Sequence, residues 1–317
     1  MRSTPTDHPP LLAIVGPTAV GKTALALQLA QALDGEVISA DSRQVYRGMD
    51  IGTAKPSLLE QREVRHHLID VVDPDEDFSL GVYQDLACEA IRDITARGRL
   101  PMLVGGTGQY LAALLQGWNI PRVEPQPELR SALEQEAAEH GVEALHVRLT
   151  LVDPQAAAAI PASNVRRVIR ALEVYQMTGQ PISAQQSMEP PPYSIRTLWL
   201  VRPAAELYGR IDERVDLMMR SGLLEEVRGL VERGYSWELP AMTGLGYREF
   251  RPFLAGELSL DEAIERLKFD THAFARRQAA WFKRLPNLSR LLADSPDLPE
   301  QAIQVLKEAY LVRNCSA

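Results

Sequence analysis

The stretch Gly16-Pro17-Thr18-Ala19-Val20-Gly21-Lys22-Thr23 fits the G-x-x-x-x-G-K-[ST] phosphate-binding loop at every fixed position. Such a loop has meaning only between a buried strand and a helix, and both are legible here. Residues 11–15, Leu-Leu-Ala-Ile-Val, are a short apolar run that reads as the strand. Beyond the loop, Leu25, Leu29 and Leu33 recur at helical spacing beside Ala26 and Ala30. The two glycines let the backbone curl so that successive N–H groups point inward, and the helix N-terminus adds partial positive charge. Lys22 contributes a full charge toward an oligophosphate, and the Thr23 hydroxyl can hold Mg²⁺. The motif says that a phosphate chain binds, not which molecule carries it.

Strand and helix then alternate. Residues 36–39 read as a second strand that runs into a long polar loop, 40–56. In open α/β sheets ligands bind at the carboxyl ends of strands, which would set Asp41 near the phosphate loop; Asp41-Ser42 reads equally well as a cap for the next turn. Residues 66–74 look like a third strand with a polar exit, and Asp70 weakly imitates a Walker-B carboxylate. His66 and His67 are adjacent, so on a strand they would point to opposite faces, which argues against a shared metal. Ser79 caps a helix carrying Val82, Leu86, Ala90 and Ile94, and residues 101–104 form a fourth strand opening into Gly105-Gly106-Thr107-Gly108. This pattern predicts an α/β fold, a P-loop NTPase-like parallel sheet covered by helices.

The pattern changes after Pro121, Pro125 and Pro127. Residues 119–195 are expected to form an all-helical insertion, with 1–118 and 196–317 as the core. Asn164 caps one of its helices, which carries Val165, Ile169 and Leu172 on one face and Arg166, Arg167 and Arg170 on the other side. A strand returns at 195–201, followed by mostly helical sequence: Arg210 and Arg214 share a helix face, 242–248 reads as a flexible Gly-rich link, and a long helix runs over 261–285 until Pro286.

The formal net charge of −8 argues mildly against a nucleic-acid partner, but its distribution argues the other way. Between 265 and 290, Arg266, Lys268, Arg276, Arg277, Lys283, Arg284 and Arg290 outnumber Glu265 and Asp270, and 164–170 holds three Arg with no acid. A single basic helical face is most often just solvated; two of them beside a phosphate loop point to a polyanion. Cys88 and Cys315 are too far apart for a disulfide framework or a zinc site. The first ten residues read as a disordered polar lead, and no apolar run approaches the ~20 residues of a membrane span. A cytoplasmic monomer is expected.

On residues 16–23, 41–56, 67–74, 101–110, 166–179, 244–247 and 276–282 the chain resembles the bacterial tRNA dimethylallyltransferases, also called tRNA isopentenyltransferases. The run Asp-Ser-Arg-Gln-Val-Tyr-Arg-Gly-Met-Asp-Ile-Gly-Thr-Ala-Lys-Pro at 41–56 is its most specific part. The resemblance implies transfer of a dimethylallyl group from dimethylallyl diphosphate to the exocyclic N6 of the adenosine 3′ to a tRNA anticodon. The phosphate loop would then hold the donor's diphosphate rather than ATP, with Lys22 and Mg²⁺ on the leaving group, Thr18 donating to the bridging oxygen and Arg214 as a second cation. Asp41 would accept the N6–H and take its proton, while Asp41, Ser42, Arg43 and Gln44 read the flipped base. Arg166, Arg167, Val168, Ile169 and Arg170, with Thr107 and Arg130, would contact the anticodon stem-loop. The competing readings are a P-loop kinase or NTP hydrolase, for which only Asp70 offers a Walker-B acid, and a non-catalytic RNA-binding protein with a vestigial loop.

Overall fold

The computed structural model describes residues 8–311; most of the expected N-terminal lead, and Cys315, lie outside that span. Two compact units form, one from Met1–Leu115 with Pro191–Ala317 and one from Gln116–Pro190.

Among the described residues the first unit holds six strands: β1 (Pro10–Val15), β2 (Gly35–Ala40), β3 (His66–His67), β4 (Leu100–Gly105), β5 (Ser194–Val201) and β6 (Leu288–Leu292). All pair in parallel, in the order β3-β2-β4-β1-β5-β6. The helices in chain order are α1 (Lys22–Leu33), α2 (Leu58–Glu63), α3 (Leu80–Ala96), α4 (Gly108–Leu115), α5 (Pro127–His140), α6 (Val142–Val152), α7 (Pro154–Ala159), α8 (Val165–Thr178), α9 (Ile182–Gln185), α10 (Ala204–Arg220), α11 (Leu223–Glu232), α12 (Arg251–Leu254), α13 (Leu260–Phe282) and α14 (Leu298–Leu311).

β1 is apolar on both faces because both are covered. Leu12 and Ile14 join one core with Leu25 and Leu29 of α1 and Ile211 of α10; Leu11, Ala13 and Val15 join another with Tyr83 and Ile91 of α3 and Leu111 of α4. The period-two alternation of a strand divides them. Ser79 accepts the Val82 N–H and starts α3, as its position implies. A third core packs Val45 and Met49 of the long loop against Leu223 and Val227 of α11, Tyr247, Phe250 and Leu267. The crossover from β1 to β2 passes over the place taken by β4, so the exits of β1 and β4 lie side by side.

Three expectations are corrected. The third strand stops after His67, because Leu68 (φ 62°) and Asp70 (φ 54°) turn the chain out of the extended conformation. The segment then lies along the polar loop: Val71 N–H donates to Val45 O (2.7 Å) and Arg47 N–H to Val72 O (2.9 Å). Asp70 is ion-paired to Lys55 at 2.5 Å, a structural use that removes it as a Walker-B carboxylate. Residues 242–248 are not a flexible link, since Met242 and Tyr247 are fully buried and Gly246 N–H donates to Glu249 Oε2. β6, a stretch to which the sequence reading assigns no element, forms because Leu288 to Leu292 pair with Thr197 to Val201.

The second unit is helical and has its own core, in which Leu133, Leu145, Leu149, Val168, Ile169 and Leu172 meet. Glu173 is buried at its centre. Arg130 grips both its oxygens (2.8 and 2.9 Å), Arg170 adds a third contact (2.5 Å) and the Gln126 N–H a fourth (2.8 Å). Burial pushes this carboxyl up, but Arg130, the Gln126 amide and Arg170 outweigh it and hold it below its ordinary value. Asn164 stands at the start of α8, where its side chain makes no capping bond.

Candidate active site

The exits of β1, β2 and β4 open into one cavity of about 650 Å³. At the end of β1 the loop curls through Ala19 (φ 60°) and Gly21 (φ 112°). The second value lies where a Cβ is strained, so glycine at 21 is required by the backbone itself. α1 begins immediately after, so its unpaired N–H groups face the mouth of the loop.

Lys22 folds back over the loop, donating to Gly16 O and Pro17 O, both at 2.9 Å. Burial, with Arg214 beside it, brings its ammonium down to about 7, Asp41 working the other way. Arg214, on α10, is itself lowered by burial, which Asp41 partly offsets. Two cations and one carboxylate therefore share a single poorly hydrated space. Arg210 of the same helix reaches the loop, Nε donating to Ala19 O at 3.0 Å.

Asp41 follows β2 directly. Its Oδ1 accepts the Arg43 N–H at 2.9 Å, an Asx turn that fixes the carboxylate on the cavity wall. Both readings made for this residue hold together: it caps a turn, and it faces the phosphate loop. Thr107, after β4, donates its N–H to Ala40 O (3.0 Å), and its hydroxyl accepts the Ser42 N–H (3.0 Å). Thr18, Thr23, Ser42, Arg43 and Gln44 also line the cavity. Within it, however, Arg43 donates to Pro240 O, and the Gln44 amide is used at both ends, accepting from Ser39 Oγ at 2.9 Å and donating to Ala54 O at 3.3 Å. These two side chains shape the loop rather than standing open to a ligand.

The remaining expected residues lie in the helical unit. Val168 and Ile169 are buried in its core, so the expectation that they touch RNA is corrected. Arg130 and Arg170 are turned onto Glu173, with Arg170 also donating to Val123 O at 3.0 Å. They hold the unit together instead of presenting free charge. Arg166 and Arg167 are exposed.

One participant escapes sequence reading. Gln278 of α13 is buried, accepts the Thr18 N–H at 2.9 Å, and donates to Gly106 O at 3.0 Å. A single side chain thus ties the phosphate loop to the turn after β4. Its only sequence signal is a polar residue at an inward position of a long helix.

Comparison with known proteins finds relatives along nearly the whole chain. A family model described as IPP transferase matches residues 44–285, and one described as isopentenyl transferase matches 9–73. The chain is 66% identical over 301 residues to a tRNA dimethylallyltransferase of Roseiflexus castenholzii, covering 95% of this chain and 98% of that one. It is 60% identical to the tRNA dimethylallyltransferase of Chloroflexus aurantiacus, covering 92% and 98%. Among solved structures, a tRNA isopentenylpyrophosphate transferase from Bacillus halodurans superposes with a TM-score of 0.70 at 42% identity, covering 96% of this chain and 99% of that one. A eukaryotic dimethylallyltransferase acting on tRNA gives a TM-score of 0.82 at 30% identity, covering 96% and 80%.

Proposed function

The chain belongs to the tRNA dimethylallyltransferase family, and from that premise we propose that it moves a dimethylallyl group from dimethylallyl diphosphate to the exocyclic N6 of the adenosine 3′ to a tRNA anticodon. The observation that carries this reading is the meeting of Lys22, Arg214 and Asp41 at one phosphate loop. A diphosphate leaving group needs the cations; an exocyclic amine, a weak nucleophile, needs the carboxylate.

The amides at the start of α1, Lys22 and Arg214 stabilise the negative charge that grows as the C1–O bond breaks. The electron pair of that bond leaves with pyrophosphate, with Thr18 donating to the bridging oxygen. The N6 lone pair forms the new bond to C1, and its displaced proton passes to Asp41. A stacked adenine cannot reach this cavity, so the base is extruded, at a cost of a few kcal/mol. Mg²⁺ fits the donor set. The Thr23 hydroxyl lines the cavity, and among the described residues no group of three or more His, Cys, Asp or Glu could hold a metal alone, so the diphosphate itself would complete the coordination. When bound, the ion neutralises charge on the leaving group.

α8 supports RNA binding through Arg166 and Arg167. Arg167→Glu is expected to raise the apparent KM for tRNA and to reduce its salt slope by about one, with pyrophosphate affinity unchanged. Filter binding across a salt series, beside calorimetry with pyrophosphate, checks this; if pyrophosphate affinity falls instead, α8 is not the element that holds the RNA. No described helix is long and apolar enough to cross a membrane, and a monomer acting alone on the tRNA accounts for the site.

The decisive experiment is mass spectrometry of tRNA nucleosides after incubation with dimethylallyl diphosphate and Mg²⁺. A mass gain of one dimethylallyl group on adenosine, with pyrophosphate released and ATP untouched, is the expected result. ATP consumption without prenylated nucleoside would return the chain to the kinase or hydrolase reading.

A further inference from the structure

The loop between β2 and α2 carries Asp41 and Ser42 and extends through Lys55, yet no strand or helix runs through it. Besides the packing of Val45 and Met49 and the main-chain bonds to residues 70–72, one carboxylate from a distant part of the same unit holds it. Glu226 of α11 accepts the N–H groups of three successive residues: Asp50 (2.9 Å) and Ile51 (2.8 Å) on Oε2, and Gly52 (3.0 Å) on Oε1. The Tyr247 hydroxyl donates a fourth bond to Oε1 at 2.7 Å. Tyr247 is fully buried; burial first, and then the Glu226 carboxylate, hold its hydroxyl protonated far above its ordinary range, so it stays a donor. A Cβ on Gly52 would lie 2.6 Å from the Tyr247 ring, so residue 52 is glycine because the phenol lies directly on the backbone.

The bonds continue toward the site. Gln44 Nε2 donates to Thr53 O (3.4 Å) and Ala54 O (3.3 Å), the residues next along the clamped run. Gln44 Oε1 accepts from Ser39 Oγ, near the end of β2 and two residues before Asp41. An anion surrounded by main-chain amides is the usual arrangement for a bound ligand; here the chain supplies the anion itself. None of the four bonds comes from a Lys or Arg side chain. Substitution therefore releases a segment of main chain rather than stranding a cation.

We infer that Glu226 is a positioning residue for the acceptor base: by clamping the amides of Asp50, Ile51 and Gly52 it fixes the loop from which Asp41 and Ser42 meet the adenine. The inference rests on the prenyl-transfer reading of the site. It separates the two substrates, because the phosphate loop has its own supports in Lys22, Arg210 and Gln278.

Glu226→Gln keeps the size of the side chain but sets an N–H donor against a main-chain N–H. It is expected to lower kcat for tRNA prenylation about tenfold or more, the scale of a small misplacement of reacting groups, while calorimetric affinity for inorganic pyrophosphate stays within about twofold. Hydrogen exchange should quicken at the amides of residues 50–52 and not at 16–23. Glu226→Asp, which keeps the carboxylate, should recover part of the lost kcat. Tyr247→Phe removes one bond without touching the charge and should cost several-fold in kcat at unchanged pyrophosphate affinity. Should Glu226→Gln fail to fold, the Asp and Phe variants decide by the same readouts. Wild-type kcat in the variants, or pyrophosphate affinity falling in parallel with kcat, overturns the positioning role while leaving the wild-type reaction standing. A wild-type protein that prenylates no tRNA overturns the underlying reading instead.

Discussion

Asp41→Asn is expected to lose about 10²–10⁴-fold in kcat for prenyl transfer, the usual contribution of a placed general base, while tRNA affinity changes by no more than a few-fold. The substitution isolates the chemistry because the asparagine carbonyl can still accept the Arg43 N–H that Asp41 Oδ1 accepts at 2.9 Å, so the turn survives. What is lost is the ability to take a proton from N6. Single-turnover kinetics with saturating tRNA measure the step directly, and filter binding checks that RNA still docks. Wild-type turnover in the variant would remove Asp41 from the mechanism and leave its carboxylate as a cap alone.

Lys22→Ala should cost about 10²–10³-fold in kcat, as removal of one preorganised donor to a developing anion does elsewhere. The pH dependence of the intact lysine is the sharper test. With no ligand its ammonium titrates at about 7, lowered first by burial and then by Arg214. A diphosphate beside it favours the charged form and raises that value. Binding above pH 7 must therefore take up a proton, and donor affinity should fall as pH rises, by up to about tenfold per unit. Calorimetry with pyrophosphate in two buffers of different ionisation heat at pH 8 reads the uptake directly. Binding without proton uptake there would show that Lys22 is already charged in the free protein. The same group shapes stability in the opposite sense. Its folded value lies below its unfolded value of 10.5, so the unfolded chain binds more protons over that interval. Folding is accordingly strengthened as pH climbs from about 7 toward 10 and weakened as pH falls through 7, to the extent that Lys22 governs it.

Much of this site is legible in the sequence alone, because its signals are local. The phosphate loop carries its own strand, glycines and helix start, and Asp41 stands at the exit of an apolar run in a position where open sheets bind ligands. The errors share a cause. The sequence around β6 reads Leu-Ser-Arg-Leu-Leu just after Pro286 and Asn287, and only pairing with β5 makes it a strand. Residues 66–74 are apolar enough to suggest a longer β3, but pairing with the 41–56 loop bends them away. α8 is legible as a basic helix, yet periodicity cannot say that Arg170 turns inward to Glu173 while Arg166 and Arg167 stay outside. Glu226 and Gln278 were missed for the same reason: each acts on main-chain groups far away in sequence, and no spacing rule connects them.

The reach of Gln278 has a consequence for how the protein is made. It stands 260 positions along the chain from Thr18, whose amide it engages, and 172 from Gly106. A ribosome can release the strands β1 to β5 and let them pair while the two lips of the mouth remain untethered. Only when α13 emerges does the span close, so the mouth of the phosphate loop is among the last parts of the nascent polypeptide to acquire its shape.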